Sequence, residues 1–201
     1  MSQSKELTTL GLQLPTDPRW ANLTSYSIEE ILTDHAYCEQ KATSSFISLI
    51  QNYPDKLKLV QELAPVVTEE WGHFRLVIAE LSKRNLHLGP QRKDDYVNEL
   101  LKFTMKGGGR EERLLDQLLL FALVEARSCE RFKILSIHLE EAALREFYRH
   151  FMVSEAGHYR MFLDLAEHYF DVVLVRKRWK EFLEYEADVM LKISPRGDRM
   201  H

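Results

Sequence analysis

The sequence EWGHFR at residues 70–75 recurs 85 residues later as EAGHYR at residues 155–160, so the chain carries two copies of Glu-x-Gly-His-aromatic-Arg. In an α-helix, residues i and i+3 lie on one face, so each copy directs a carboxylate and an imidazole toward the same region of space. The repeat therefore predicts two helices that each present a Glu and a His as metal ligands.

The composition favours an all-α protein. The 201 residues are 45% apolar, with only 8 Gly and 6 Pro, and no segment alternates with the two-residue period of a strand. We expect one domain over residues 1–201, with an irregular N-terminal segment at 1–26 and a loose tail at 193–201. No apolar run approaches the ~20 residues that span a bilayer, and two cysteines are too few for a disulfide framework. These features predict a soluble, cytoplasmic protein that does not contact membranes.

Apolar periodicity predicts five long helices and one short helix. Ser27 and Glu30 form a predicted capping box before the first helix, and Pro65 either kinks the second or begins its main part. Three glycines at 107–109 lie in a long connection between the second and third long helices, while the neighbouring connections are short. This connectivity predicts a ferritin-like four-helix bundle with one long crossover and an additional C-terminal helix. The six expected helices span approximately residues 27–51, 56–85, 94–103, 111–139, 141–169 and 172–192.

Carboxylate bundles of this type take one Glu from each of two helices and Glu-x-x-His from each of the other two. Glu39 lies on the apolar face of the first helix, and Glu125 on that of the third. The intervals from Glu39 to Glu70 and from Glu125 to Glu155 are 31 and 30 residues, which favours Glu125. Glu130 stays an alternative, because Cys129-Glu130 matches Cys38-Glu39. The predicted ligands are Glu39, Glu70, His73, Glu125, Glu155 and His158, with no catalytic residue beyond them.

Four carboxylates and two imidazoles suit two divalent iron ions, with manganese as the other possibility. Gly72 and Gly157 each cost ~1 kcal/mol relative to Ala in mid-helix, so we expect a backbone or bridging ligand close to them. Arg75 and Arg160 are expected to form salt bridges to neighbouring helices. His35, one turn before Glu39, is a candidate to support that ligand.

Four segments resemble the tRNA hydroxylase family MiaE over nearly the whole chain: DHAYCEQKA (34–42), EEWGHF (69–74), EARSCERF (125–132) and SEAGHY (154–159). The resemblance implies a non-haem diiron monooxygenase that uses O₂ and an external reductant. Its implied substrate is 2-methylthio-N6-isopentenyladenosine at position 37 of tRNA, hydroxylated on the isopentenyl side chain. The implied partners are a tRNA anticodon stem-loop and an electron-transfer protein.

Binding to RNA requires phosphate contacts in spite of a net charge of −4. Two basic segments are candidates, and a flexible crossover and an exposed helix face are the strong alternative explanations for them. Two other functions fit the same ligands: a manganese catalase-like or other small-molecule dimetal oxidase, and an iron-storage protein. The candidate substrate-binding residues are Lys106, Arg110, Arg176, Lys177, Arg178 and Lys180.

Overall fold

The computed structural model describes residues 9–25, 27–193, 196 and 199–200 of the chain. Regular structure in this part consists of a short 3₁₀ helix at Thr9–Gly11 and seven α-helices, without a strand. The all-α prediction is therefore confirmed. The helices are α1 (Trp20–Ser25), α2 (Ile28–Asn52), α3 (Leu57–Lys83), α4 (Asp95–Phe103), α5 (Arg110–His138), α6 (Ala142–Tyr169) and α7 (Val172–Lys192).

Helices α2 to α7 match the predicted helices to within one or two residues, and α3 continues through Pro65. The predicted capping box is wrong, because Ser27 makes no side-chain cap hydrogen bond. Glu30 accepts a 2.7 Å hydrogen bond from Arg92. The expectation of an irregular N-terminal segment is wrong at Trp20–Ser25, which is helical.

Contacts between residues divide the described chain into two compact units. The first unit comprises residues 20–93 with 196, 199 and 200, and therefore contains α1, α2 and α3. The second unit comprises residues 9–19 and 94–193, and contains α4 to α7. The prediction of a single domain over residues 1–201 stays a prediction.

In the first unit, α2 and α3 form an antiparallel pair with leucines and aromatic residues between them, including Leu32, Phe46 and Leu63. The end of the chain packs onto this pair. Met200 is buried and its backbone N–H donates to Asp34 Oδ2 at 2.8 Å, while the Trp20 indole donates to the Arg196 carbonyl. The expected loose tail is therefore wrong at residues 196, 199 and 200.

In the second unit, α5 and α6 form the corresponding antiparallel pair, and α7 packs along α5. Asp116 of α5 contacts Arg178 of α7, and further along both helices Arg127 contacts Glu186. Because residue numbers rise together along these contacts, α5 and α7 are parallel. The beginnings of both helices therefore lie at the same end of the second unit.

No helix in the described part of the chain is both long enough and apolar enough to cross a lipid bilayer.

Candidate metal centre

The first unit brings Glu39 of α2 together with Glu70 and His73 of α3, and we call these residues the first triad. His73 Nδ1 lies 3.3 Å from Glu39 Oε2 and 3.8 Å from Glu70 Oε2. Spacing of three residues places Glu70 and His73 on one face of α3, and that face meets Glu39 on the facing helix. All three side chains are buried. One ligand atom from each lies within 4.8 Å of those from the other two.

The second unit repeats this arrangement with Glu125 of α5 and with Glu155 and His158 of α6, the second triad. His158 Nδ1 lies 3.6 Å from Glu155 Oε2, and all three side chains are again buried. Their ligand atoms likewise lie within 4.8 Å of one another. The two copies of the sequence repeat thus produce two triads of the same composition.

The donor set fits divalent metal ions of the iron and manganese type. Each triad offers two carboxylate oxygens and one imidazole nitrogen, which such ions accept, and no thiolate of the kind that structural zinc sites prefer. Two ionised carboxylates in an apolar interior are costly unless a cation neutralises them. Each triad is therefore compatible with a bound metal ion.

Glu130, the alternative ligand on α5, lies in a different environment from Glu125. Its Oε1 accepts the Thr16 backbone N–H and its Oε2 accepts the Thr16 hydroxyl, both at 2.8 Å. Arg127 also donates to Oε2. Since both oxygens are engaged by these donors, the geometry favours Glu125 as the metal ligand.

His35 lies directly behind the first triad. Its Nε2 is 2.7 Å from Glu39 Oε1, and both side chains are buried. Because a carboxylate only accepts, Nε2 carries the proton of this hydrogen bond. His35 therefore orients Glu39, as its position one turn earlier predicted.

The second unit contains a buried ion network that the sequence did not reveal, formed by Arg127, Glu130, Arg131 and Glu186 with Tyr96 and Thr16. Arg127 donates to Glu186 Oε1 from both Nε and Nη2, at 2.9 and 2.6 Å. Burial raises the pKa of Glu186, and burial with the nearby Arg127 lowers the pKa of Arg131 to about 10. The available signal was Glu186 itself, an acidic residue on the apolar face of α7.

The structure corrects the expectation of a close backbone at the repeated glycines and the expectation of salt bridges at the repeated arginines. A Cβ atom added to Gly72 or Gly157 would meet nothing within 4 Å in the described part of the chain, so no neighbouring backbone approaches either glycine. Arg75 and Arg160 are exposed, and neither pairs with a carboxylate among the described residues. The predicted interhelical salt bridges are therefore wrong.

The predicted tRNA contacts differ in their surroundings. The side chains of Lys106, Arg110, Arg176, Lys177 and Lys180 are exposed. Arg178 is only 19% exposed, and its guanidinium binds Asp116. The structure thus brings the six metal-ligand candidates into two triads and leaves most of the basic candidates at the surface.

A family model described as tRNA-(MS[2]IO[6]A)-hydroxylase (MiaE) matches residues 5–201. The chain belongs to the MiaE family. It is 36% identical over 160 residues to the tRNA 2-(methylsulfanyl)-N(6)-isopentenyladenosine(37) hydroxylase of Pseudomonas putida, a match covering 80% of this chain and 77% of that one. The Salmonella typhimurium protein of the same name is 29% identical over 208 aligned positions, covering 80% and 76% of the two chains.

Among solved structures, this MiaE family member is similar to protein 43 from Synechococcus, described as having aldehyde deformylating oxygenase activity. The TM-score is 0.88 at 31% sequence identity, and the match covers 94% of each chain. The predicted ferritin-like fold is therefore confirmed.

Proposed function

We propose that this chain is an O₂-dependent diiron monooxygenase that hydroxylates the isopentenyl side chain of 2-methylthio-N6-isopentenyladenosine at position 37 of tRNA. The observation that carries this proposal is membership of the MiaE family over residues 5–201, with the repeated Glu and His residues gathered into two triads. Both curated relatives are named hydroxylases of this nucleoside.

In this proposal the two triads together hold a pair of iron ions. Glu39, Glu70 and His73 contribute three ligands, and the second triad contributes the other three. Four ionised carboxylates balance the charge of two divalent cations, which removes the cost of burying them unpaired. When bound, the iron pair supplies the chemistry by which O₂ is reduced and one oxygen atom enters a C–H bond. Manganese fits the same donor set.

The residues of the chain have three tasks in this reaction. His73 and His158 would each offer a ring nitrogen lone pair to the metal. His35 keeps Glu39 in one orientation through its 2.7 Å hydrogen bond. Burial of both triads excludes water, which protects a reactive oxidant from unproductive reactions.

The reaction also needs an electron source. Conversion of a C–H bond and O₂ to an alcohol and water consumes two electrons and two protons beyond those of the substrate. The sequence contains no flavin or nicotinamide signature. We therefore propose an external electron-transfer protein as a partner, and a cytoplasmic location in which the tRNA substrate is available.

A comparison of tRNA from cells with and without this protein tests the function. Mass spectrometry of tRNA nucleosides should show the hydroxylated nucleoside only when the protein is present, and its unhydroxylated precursor should accumulate in its absence. An unchanged nucleoside profile would contradict the tRNA function. The remaining alternatives would then be a small-molecule oxidase and an iron-storage protein.

A further inference from the structure

We propose that residues 105–113 and the beginning of α7, residues 172–180, form one RNA-binding surface, called here the basic surface. Arg178 holds the two segments together and does not itself contact RNA. This inference rests on the proposed function, because it assigns the face of the second unit that binds the phosphates of the tRNA stem.

Asp116 connects the two segments. Its Oδ1 accepts a 2.8 Å hydrogen bond from Arg178 Nε, and its Oδ2 accepts one of 2.8 Å from Arg178 Nη2. The same Oδ2 accepts the backbone N–H of Met105 at 2.7 Å. A single buried carboxylate of α5 therefore fixes the start of the glycine-rich segment and one face of α7.

The other contacts of Arg178 also hold its side chain between the two segments. Its Nη2 donates to the Phe103 carbonyl at 3.1 Å, and its Nη1 donates to Glu181 at 2.8 Å. The guanidinium carbon lies 4.4 Å from the ring centroid of Phe103 and 4.9 Å from that of Phe182. Four of its N–H groups donate within the second unit, and two aromatic rings lie against its guanidinium, so we assign Arg178 as a positioning residue.

The cations around this junction point to solvent. Lys106, Arg110 and Arg113 are exposed in the first segment, and Arg176, Lys177 and Lys180 in the second. Lys106 and Lys177 have no carboxylate partner in the described part of the chain. Arg176 and Lys180 meet Glu167 and Glu184 only at 3.7 Å, in exposed pairs that phosphate can displace at little cost.

Local charge favours a polyanionic partner. Residues 102–116 and 171–181 contain eight Lys and Arg residues against five Asp and Glu residues, whereas the whole chain contains 27 against 31. A positive surface on a chain of negative net charge concentrates phosphate binding at one place. Gly108, with φ +79°, adopts a backbone conformation that favours glycine. The Gly109 N–H donates to Glu112 Oε2 at 2.7 Å, so phosphate binding is assigned here to the lysine and arginine side chains and not to the glycine backbone.

The surface lies away from the triad of its own unit. Because α5 and α7 are parallel, both segments lie at one end of the second unit. Glu125 is 15 residues beyond Arg110 along α5, a distance of about 22 Å at 1.5 Å per residue. The basic surface would therefore bind stem phosphates at a distance from the modified base.

The test uses the double variant Lys106→Glu/Lys177→Glu of the full chain, with Lys192→Glu as the matched control. Lys192 is exposed at the other end of α7. Binding of an unmodified anticodon stem-loop RNA is measured by fluorescence anisotropy over a range of salt concentrations. The double variant should bind at least ~10-fold more weakly, and its salt slope should fall by about two, one for each phosphate that a lysine no longer neutralises. The control should bind as the wild type does, and wild-type binding by the double variant would overturn the proposal.

The role of Arg178 is tested with Arg178→Gln in the same assay. A positioning residue should weaken binding several-fold without changing the salt slope, because the exposed lysines still meet their phosphates. A slope reduced by about one would make Arg178 a direct contact and overturn the assignment. Asp116→Asn keeps the shape and an acceptor for Met105, and it tests the same junction should Arg178→Gln fail to fold.

These measurements test RNA binding by the basic surface independently of the hydroxylation reaction. RNA binding that changes as expected, with an unaltered nucleoside profile in cells lacking the protein, would sustain the surface and defeat the proposed function. An acidic electron-transfer protein is the other partner that a basic surface could fit. Wild-type RNA binding by the double variant, combined with slower electron uptake from such a protein, would overturn the RNA assignment.

Discussion

The two units contain the same triad with different support. In the first unit, Glu39 Oε1 accepts a 2.7 Å hydrogen bond from the buried imidazole of His35, which lies outside the triad. In the second unit, Phe121 occupies the corresponding position one turn before Glu125, and it packs against Phe162 of α6. The helix that carries Glu125 is fixed instead by the ion network that joins it to α7.

This difference shows which part of the repeat is dictated by helical geometry. Spacing of three residues is sufficient to bring Glu and His together in each unit, so the ligands repeat. In the second unit the supporting groups come from distant parts of the chain, such as Thr16 and Glu186, and nothing requires them to repeat in the first unit. Metal binding should therefore respond in the same way to substitutions in the two triads, while stability should not.

The largest effect is expected from Glu70→Ala and Glu155→Ala, the equivalent residues of the two triads. Each should lower iron binding and tRNA hydroxylation by more than about 100-fold, because loss of a ligand exceeds the upper range for groups that only support ligands. Iron content and nucleoside mass spectrometry measure the two effects. Glu62→Ala and Glu146→Ala, exposed on the same two helices, are matched controls that should retain both properties. A large loss of iron binding and hydroxylation in only one of these two variants would show that the triads are not equivalent.

A smaller effect, on stability rather than iron binding, is expected from Glu186→Leu. This change leaves Arg127 without one of its two buried carboxylates, and breaking a buried ion pair costs about 3–5 kcal/mol of unfolding free energy. Urea denaturation of the metal-free protein measures the loss. The exposed residue Glu184 on the same helix provides the control, since Glu184→Ala should stay within ~0.5 kcal/mol of the wild type. If Glu186→Leu lowered the unfolding free energy as little as Glu184→Ala, the ion network would not be what stabilises the second unit.

His35→Leu should weaken iron affinity by about 10- to 100-fold, the range for a group that orients a metal ligand. The measurement is a competition titration of iron against a chelator. Phe121→Leu is the comparison in the second unit, and it should change affinity less because Phe121 has no hydrogen bond to offer Glu125. Equal effects of the two substitutions would mean that His35 acts by packing alone.

The smallest effect concerns the repeated glycines. Gly72→Ala and Gly157→Ala should each raise the unfolding free energy by about 0.5–1 kcal/mol, because the added methyl meets open space and Ala is the better helix former. Thermal and urea denaturation measure the change. Gly108→Ala should have the opposite sign, since Gly108 has φ +79°. Destabilisation by the first two variants would reveal a close neighbour that the structure does not contain.

Sequence reasoning located the helices and both Glu-x-x-His pairs because each depends on residues within a few turns of one another. It favoured Glu125 over Glu130 only by an interval of residues. The structure adds a physical reason, since Glu130 faces Arg127 and Thr16. The ion network and the packed C-terminal Met200 were missed, because their partners lie more than 50 residues away in the chain. The capping box at Ser27 was predicted from residue types alone, and Ser27 makes no side-chain cap hydrogen bond.

The most direct test of the account is the iron content of the purified chain after anaerobic reconstitution with ferrous iron and removal of loosely bound metal. The two triads predict two iron ions per chain in the wild type, and fewer than one in Glu70→Ala and in Glu155→Ala alike. A wild-type chain that retains one ion or none, or a Glu155→Ala variant that still holds two, would contradict a centre built from both triads.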